Sequence, residues 1–196
     1  MKVVFFSESQ INGKVPRDFS NARTEYAWMM ALDAPHYNIN NIPNEKFDLG
    51  IVIVPKNNPN VNLDLLRACC DKVAVMQEGP HWYFQDYSVS QQFHYFNLLM
   101  SADWVYCHNE SDVQYFLGLG CKDIRVMRSL MIPEGLSSQT ERGNGTIIGG
   151  NFVSWYGGFD SFMVAMNLKD SITAPSMGRK QNEEKLIEEI NYLPYL

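Results

Sequence analysis

The sequence predicts an α/β fold with a doubly wound parallel sheet and helices on both of its faces. Apolar runs of strand length alternate with segments of helical periodicity, and the connections between them are short. One run, FDLGIVIVP at Phe47–Pro55, is almost continuously apolar, which is typical of a strand that is buried on both faces. Together these features predict about five or six strands before Arg128, a common number for such a domain.

The first half of this domain supplies three strands and two helices. Lys2–Phe6 contains a short apolar run, which is too short for a signal peptide and is typical of a first strand. Asn21–Ala34 is expected to be a helix because its apolar residues recur at helical spacing. The remaining expectations are a short strand at His36–Asn40, the buried strand at Phe47–Pro55 and a helix at Leu63–Asp71.

The second half of the domain continues the alternation. Asn109 is a candidate N-cap of the last helix, and Gly118 and Gly120 are suited to its end. Strands are expected at Lys72–Gln77, Asp103–His108 and Ile124–Met127, and helices at Ser90–Ala102 and Ser111–Leu119.

Residues 131–145 are polar and rich in Gly and Ser, which indicates a linker between a first domain at 1–130 and a partial second domain at 146–196. The second domain restarts the strand–helix alternation for about two units. A strand is expected at Thr146–Gly149, a helix at Phe159–Asn167, a strand at Ser171–Ala174 and a helix at Asn182–Ile190. The chain is then either cut inside its second domain, or this piece packs on the first domain as an appendage.

The composition is that of a globular protein, with 45% hydrophobic and 19% charged residues. The net charge of −6 argues against a broad nucleic-acid surface, because neutralising phosphates requires clustered Lys and Arg. The four cysteines show no metal-ligand spacing, and we expect buried thiols in a cytoplasmic protein. No metal site is expected, and no apolar run is long enough to span a membrane.

The long loop after the first strand is the first candidate binding segment. Ligands of open parallel sheets bind outside the carboxyl ends of the strands, where this loop begins. Its candidate ligand-binding residues are Ser7, Asn12, Gly13 and Arg17. The alternative is a solvated loop whose polar residues only cap the next helix.

The stretch QEGPHW, which follows the strand at Lys72–Gln77, is the second candidate. Glu78 or His81 could act as a general base on a hydroxyl group, and Trp82 could stack on a sugar or a base. The alternative is an ordinary turn that leads into a core helix.

The third candidate is the glycine-rich stretch IIGGNFVSWYGGFD. Gly149 and Gly150 end a strand, and Gly157 and Gly158 open a helix, where backbone N–H groups can bind phosphate oxygens. Arg179 and Lys180 follow a later strand and are suited to a diphosphate. These two cations are equally compatible with a solvated charge pair.

This layout resembles that of the GT-B glycosyltransferases, which have two Rossmann-like domains. The resemblance is carried by ADWVYCHNESDVQYFLGLGCKDIRVM (Ala102–Met127), by FDLGIVIVP and AVMQEGP before it, and by IIGGNFVSWYGGFD. It implies that the glycines of the second domain lie near the diphosphate of a nucleotide sugar, and that Asn12, Gly13, Glu78 and His81 face the acceptor. The family's donor-side pair of glutamates, spaced eight apart, has no match at Glu183, Glu184, Glu188 and Glu189. Some phage-encoded relatives modify DNA bases, an acceptor that the acidic composition does not support.

We therefore expect a glycosyltransferase that moves a sugar from a nucleotide-sugar donor to a hydroxyl acceptor without a cofactor. One alternative is a non-catalytic nucleotide- or sugar-binding module that retains the binding cleft but does not catalyse a reaction. A sugar-nucleotide epimerase or dehydrogenase is disfavoured, because it would require GxGxxG after the first strand, where this chain has SESQING.

Overall fold

The computed structural model describes residues 1–16, 24–55, 57–77, 87–130, 146–150 and 171–175, together with the helical residues Met163, Met166 and Asn167. The chain divides into two compact units. The first comprises Met1–Phe19 and Arg23–Met131, and the second comprises Ser20–Ala22 and Ile132–Leu196.

The described part of the first unit contains seven strands and four helices. The strands are β1 (Val3–Ser7), β2 (Gly13–Lys14), β3 (Pro35–Asn38), β4 (Phe47–Ile53), β5 (Cys70–Met76), β6 (Trp104–Cys107) and β7 (Ile124–Val126). The helices are α1 (Thr24–Ala31), α2 (Leu63–Arg67), α3 (Val89–Ser101) and α4 (Glu110–Gly118).

All seven strands form one sheet in the order β2-β3-β1-β4-β5-β6-β7. The short edge strand β2 runs antiparallel to β3, and the other neighbouring strands are parallel. Counting only the parallel strands in chain order, the arrangement is 2-1-3-4-5-6, which extends one of the two common doubly wound orders. The α/β class and the mostly parallel sheet are thus confirmed, and the order is compatible with a Rossmann-like domain.

Two apolar cores lie on the two faces of the sheet. Val4 and Phe6 of β1 pack in the core that contains α2, α3 and α4, whereas Val3 and Phe5 pack in the core that contains α1. Successive side chains of a strand point to opposite faces, so the VVFF run of β1 supplies both cores. Helices on both faces bury most residues of the central strands β4 and β5, which explains their long apolar runs.

Helix α4 ends where Gly118 and Gly120 predicted its end. Gly120 has a φ of +96°, and it follows the C-cap residue Leu119. The N–H of Gly120 donates to the carbonyl of Leu117, and the N–H of Cys121 donates to that of Phe116. These two bonds form a Schellman motif. At the other end, Asn109 occupies the N-cap position, but its side chain makes no capping hydrogen bond.

The predicted helix Leu63–Asp71 is wrong at its end. α2 stops at Arg67, and β5 already begins at Cys70, which pairs with Phe47 of β4. The two-residue strand β2 had no counterpart among the predicted elements. The predicted strands before Arg128 otherwise match the observed ones to within two residues at each end.

In the second unit, β8 (Thr146–Gly150) and β9 (Ser171–Pro175) form a parallel two-stranded sheet. Both strands were predicted. Of the predicted helix Phe159–Asn167, the structure describes Met163, Met166 and Asn167 as helical. The predicted linker 131–145 and the predicted helix Asn182–Ile190 lie outside the described residues.

Candidate functional site

The direction in which strands are added to the sheet reverses between β1 and β4. β3 lies next to β1 on one side, and β4, β5, β6 and β7 follow in order on the other side. In open α/β sheets, ligands bind outside the carboxyl ends of the strands at such a switch point. Glu8 follows β1 directly, and Pro55 follows β4 after one residue, so these residues mark the candidate site.

The carboxylate of Glu8 joins the ends of these two strands. Its Oε1 accepts hydrogen bonds from the backbone N–H of Asn57 at 3.3 Å and of Asn58 at 3.4 Å. Its Oε2 accepts a bond from Asn57 Nδ2 at 3.2 Å. Donors from the loop after β4 therefore hold a carboxylate at the switch point, although each of these bonds is long.

A cleft of about 240 Å³ opens beside this carboxylate, and we call it the amide cleft. Its apolar walls are Ile39, Pro55, Val61 and Leu65, and its polar lining is Glu8, Asn40, Asn58, Asn60 and Asn62. Ile39 and Val61 also pack against the core that contains α2, so the cleft lies on the α2 face of the sheet.

Two of the cleft amides have a fixed orientation. The Oδ1 atom of Asn58 accepts the N–H of Asn60 at 3.1 Å, and the Oδ1 atom of Asn62 accepts the N–H of Asp64 at 3.0 Å as the N-cap of α2. A backbone N–H can donate only to the oxygen of the amide, which identifies Oδ1 and Nδ2 without ambiguity. The Nδ2 groups of Asn58 and Asn62 make no hydrogen bond within the described part of the chain, and they are available as donors.

Asparagine side chains also brace the loop that carries Glu8. Asn38, at the end of β3, donates from Nδ2 to the carbonyls of Glu8 at 3.2 Å and Ser9 at 3.0 Å. Asn12 accepts a bond from Asn41 Nδ2 at 3.3 Å. The predicted ligand-binding residue Asn12 therefore helps to hold the loop in this structure.

Ser7 and His36 form a hydrogen-bonded pair on the α1 face of the same edge. Ser7 Oγ lies 2.7 Å from His36 Nε2, and His36 Nδ1 lies 2.6 Å from the carbonyl oxygen of Ile11. The His36 side chain is fully buried, and this burial lowers its pKa although the bond to the Ile11 carbonyl acts in the opposite direction. Spacing along the chain does not reveal this pair, because β1 and β3 bring together two residues that are 29 positions apart.

Gln77, at the end of β5, is a further buried polar residue of the carboxyl edge. Its Oε1 accepts a hydrogen bond from the hydroxyl of Tyr95 in α3. Its Nε2 is buried and has no hydrogen-bond partner among the described residues. Gln77 is almost fully buried, and it is not among the described residues that line the amide cleft.

Gly13, another predicted ligand-binding residue, lies away from the amide cleft. It belongs to β2 and lines a groove of about 440 Å³ beside the amino ends of β1 and β3. This groove is larger than the amide cleft, but its charged side chains form the ion pairs Lys2–Glu45 and Lys14–Asp33. Since its charges neutralise one another and it lies at the amino edge, we regard it as the weaker candidate.

The predicted donor-side glycines are described only in part. Gly149 and Gly150 form the carboxyl end of β8, where they pair with Ala174 and Pro175 of β9. The other predicted site residues lie outside the described residues: Arg17, Glu78, His81, Trp82, Gly157, Gly158, Arg179 and Lys180.

Sequence reasoning missed the asparagines of the amide cleft. The signal was present, since four asparagines occur within the six residues NNPNVN at positions 57–62, and HYNINN carries three more. Asparagine is common in turns, so these segments resembled ordinary connections between elements.

Within the described ranges, no group of three or more His, Cys, Asp or Glu residues is arranged to hold a metal ion. No helix in those ranges is long and apolar enough to cross a membrane.

Comparisons with known proteins give no further guide: no protein-family model, no curated protein and no solved structure matches this chain significantly.

Proposed function

We propose that this chain is a GT-B-type glycosyltransferase, and that the amide cleft of its first unit binds the acceptor. The observation that supports this most strongly is the cleft itself. A carboxylate at the switch point of the sheet stands beside neutral amides with fixed donor groups.

The chemistry of the cleft suits a sugar better than a charged ligand. Sugar hydroxyls both donate and accept hydrogen bonds, and the cleft offers amide donors at Asn58 and Asn62 and a carboxylate acceptor at Glu8. Its apolar walls can contact the C–H faces of a sugar ring, as in other binding sites that combine apolar walls with a few polar groups. A phosphate would instead require cations, and among the described residues that line the cleft the only charged one is Glu8.

The proposed reaction is the attack of an acceptor hydroxyl on the anomeric carbon of a nucleotide sugar. A new C–O bond forms, the bond from the anomeric carbon to the diphosphate oxygen breaks, and the hydroxyl proton passes to a base. Glu78 and His81 are the proposed bases because Glu78 directly follows Gln77 at the end of β5 and His81 comes three residues after Glu78. Gly149, Gly150, Gly157 and Gly158, together with Arg179 and Lys180, would bind the leaving diphosphate.

The test is an assay of nucleotide release from UDP-, GDP-, ADP- and CMP-sugars, each with and without a panel of mono- and disaccharide acceptors. We expect one donor to be consumed faster when one acceptor is present. If a sugar binds but none of the donors is consumed, the chain is a non-catalytic sugar-binding module instead. If no donor is consumed and no sugar binds, the proposal is wrong.

The first variant for this assay is Glu8→Gln, which removes the charge of the carboxylate and keeps its shape. Hydrogen bonds to charged groups contribute about 1.5–3 kcal/mol, so we expect the KM for the acceptor to rise about tenfold or more. The slow hydrolysis of the donor without acceptor should not change.

Glu45→Gln is the matched control, because Glu45 is exposed at the opposite edge of the sheet and pairs with Lys2. Glu45→Gln should change neither the KM for the acceptor nor the rate of donor hydrolysis. An equal effect of the two variants on the acceptor KM would contradict the assignment of the acceptor to the amide cleft.

A further inference from the structure

The second feature of the carboxyl edge is the pair formed by Ser7 and His36, on the opposite face of the sheet from the amide cleft. Val3 and Phe5 of β1 point to the α1 face of the sheet. Ser7 is two residues after Phe5 in the same strand, so its side chain lies on that face too. His36 is the registered partner of Phe5 in β3, so it lies beside Ser7 on that face. The pair is thus held by two adjacent strands of the sheet and not by a loop.

The hydrogen bonds determine which nitrogen of His36 carries the proton. The carbonyl of Ile11 can only accept, so Nδ1 is the protonated nitrogen, and it donates at 2.6 Å. Nε2 then carries a lone pair, and the hydroxyl of Ser7 donates to it at 2.7 Å. This is the tautomer in which a histidine can remove the proton of a serine.

The surroundings keep this imidazole neutral and in place. His36 is fully buried, and the burial lowers its pKa, so the ring is uncharged at neutral pH. The Ile11 carbonyl is fixed in turn, since the N–H of Ile11 donates to Ser9 Oγ at 3.3 Å. Ser7 is only half-buried, and the N–H of Ser9 donates to its Oγ at 3.0 Å.

We propose that Ser7 is an activated nucleophile and that this face of the sheet carries an acyl-transfer activity toward small carboxylic esters. A serine, a base within hydrogen-bond distance and a group that orients the base are the components of an activated nucleophile. The activity is independent of glycosyl transfer, and it uses neither the amide cleft nor the second unit.

Each step of the reaction balances. Ser7 Oγ forms a bond to the carbonyl carbon of the ester while its proton moves to His36 Nε2. The bond from that carbon to the alcohol oxygen breaks, and the alcohol leaves with the proton from His36. Water then attacks the acyl group on Ser7, His36 takes one proton of the water and returns it to Ser7 Oγ, and a carboxylic acid is released.

A fluorophosphonate probe tests the nucleophile on the full chain, with intact mass as the readout. We expect one phosphonyl group to be added, since the Ser7 O–P bond forms while the P–F bond breaks and fluoride leaves with the proton. Ser7→Ala should lose the labelling, and Ser101→Ala, which changes an exposed serine in α3, should keep it. Hydrolysis of p-nitrophenyl acetate should fall more than a hundredfold in Ser7→Ala alone.

A second measurement tests whether His36 activates the side chain at position 7. Ser7→Cys leaves His36 in place, and the four native cysteines are all buried, so background labelling is low. At neutral pH, the neutral His36 can accept the thiol proton as the sulfur attacks, so Ser7→Cys should react with iodoacetamide about tenfold faster than the exposed control Ser101→Cys. His36→Gln added to Ser7→Cys should abolish this advantage.

The proposal requires both results. It is wrong if the wild-type chain is not labelled, if Ser7→Ala is labelled as fast as the wild type, or if Ser7→Cys reacts no faster than Ser101→Cys. Any one of these outcomes would show that Ser7 and His36 only hold the loop after β1 in position.

Discussion

Gly50 occupies a position in the middle of β4 where a side chain has no room. A Cβ atom built on it would lie 2.8 Å from Cys70 Sγ and 3.3 Å from Cε2 of Phe6. Both neighbours are buried in the core of the α2 face, and the Cys70 thiol lies 3.7 Å from that of Cys69. The close packing of β4 against β1 and β5 therefore depends on the absence of a side chain at this residue.

We predict that Gly50→Ala lowers the free energy of unfolding by about 1–3 kcal/mol, because the added methyl group overpacks the core. Gly118 is the matched control. It is helical in α4, and a Cβ there meets nothing within 4 Å, so Gly118→Ala should raise the stability by about 0.5–1 kcal/mol. Urea denaturation of both variants measures these changes. A Gly50→Ala variant as stable as the wild type would show that Cys70 can move aside at little cost.

The cysteines show what single residues reveal from sequence. The adjacent pair Cys69 and Cys70 predicted buried thiols, and all four cysteines are indeed free and buried. Burial, together with the neighbouring Cys69, raises the pKa of Cys70 to about 12, so its thiol stays protonated. This prediction succeeded because it needed only the residue type and its immediate neighbours.

At the scale of elements, Asp103 connects α2, β5 and β6. Its Oδ2 accepts hydrogen bonds from the N–H of Val73 at 2.9 Å and from Arg67 Nη1 at 2.5 Å, and its Oδ1 accepts one from Lys72 at 3.2 Å. Arg67 also donates to the carbonyl of Ser101 at 2.7 Å. Burial alone would raise the pKa of Asp103, but the hydrogen bonds from Val73, Arg67 and Lys72 outweigh it and lower the pKa to about 2.

This lowered pKa predicts a loss of stability in acid. The folded state holds Asp103 as a carboxylate more strongly than the unfolded state, in which its pKa is about 4. The contribution, about 2 kcal/mol, is therefore present above pH 4 and is lost as the pH falls from about 4 to about 2. In Asp103→Asn, the stability measured by urea denaturation should change less over this range than in the wild type.

The more exposed Asp123, whose pKa is lowered by its hydrogen bonds with Arg125, is the control for this measurement. Since solvent screens this surface pair, Asp123→Asn should keep nearly all of the wild-type acid dependence. If the stability of Asp103→Asn falls in acid as much as that of the wild type, the hydrogen bonds of Asp103 do not form in solution.

Elements were predictable where local pattern and tertiary structure agree. The buried run of β4 and the glycine end of α4 are of this kind, since each follows from a few consecutive residues. The end of α2 is different. Cys70 and Asp71, which were predicted to be helical, belong instead to β5, and β5 pairs with β4, a strand that is distant in sequence. β2 was missed because two residues, Gly13 and Lys14, carry too little pattern to indicate a strand.

At the scale of the molecule, the sheet order is what creates the amide cleft, and periodicity alone does not reveal that order. The asparagine-rich segments after β3 and β4 meet because both strands lie next to β1. Their residues Asn40 and Asn58 are 18 positions apart in sequence but line the same cleft. The sequence predicted a candidate site at the carboxyl edge of the sheet, where the amide cleft lies, but it did not predict the amide lining.

We propose that the amide cleft binds the hydroxyl groups of a neutral sugar. The net charge of −6 and the carboxylate of Glu8 disfavour anionic ligands there, whereas the amides of Asn58 and Asn62 are uncharged donors. Binding should therefore depend little on salt, because no ion pair between ligand and protein is involved.

The most direct test follows the side-chain NH₂ signals of Asn58 and Asn62 by ¹H–¹⁵N NMR of the full chain. The titrants are the methyl glycosides of glucose, galactose, mannose and N-acetylglucosamine, and Asn97, exposed on α3, is the internal control. We predict that at least one glycoside shifts both cleft signals in a saturable manner while the Asn97 signal stays in place. If no glycoside moves the signals of Asn58 and Asn62, or if Asn97 moves equally, the amide cleft is not a sugar site.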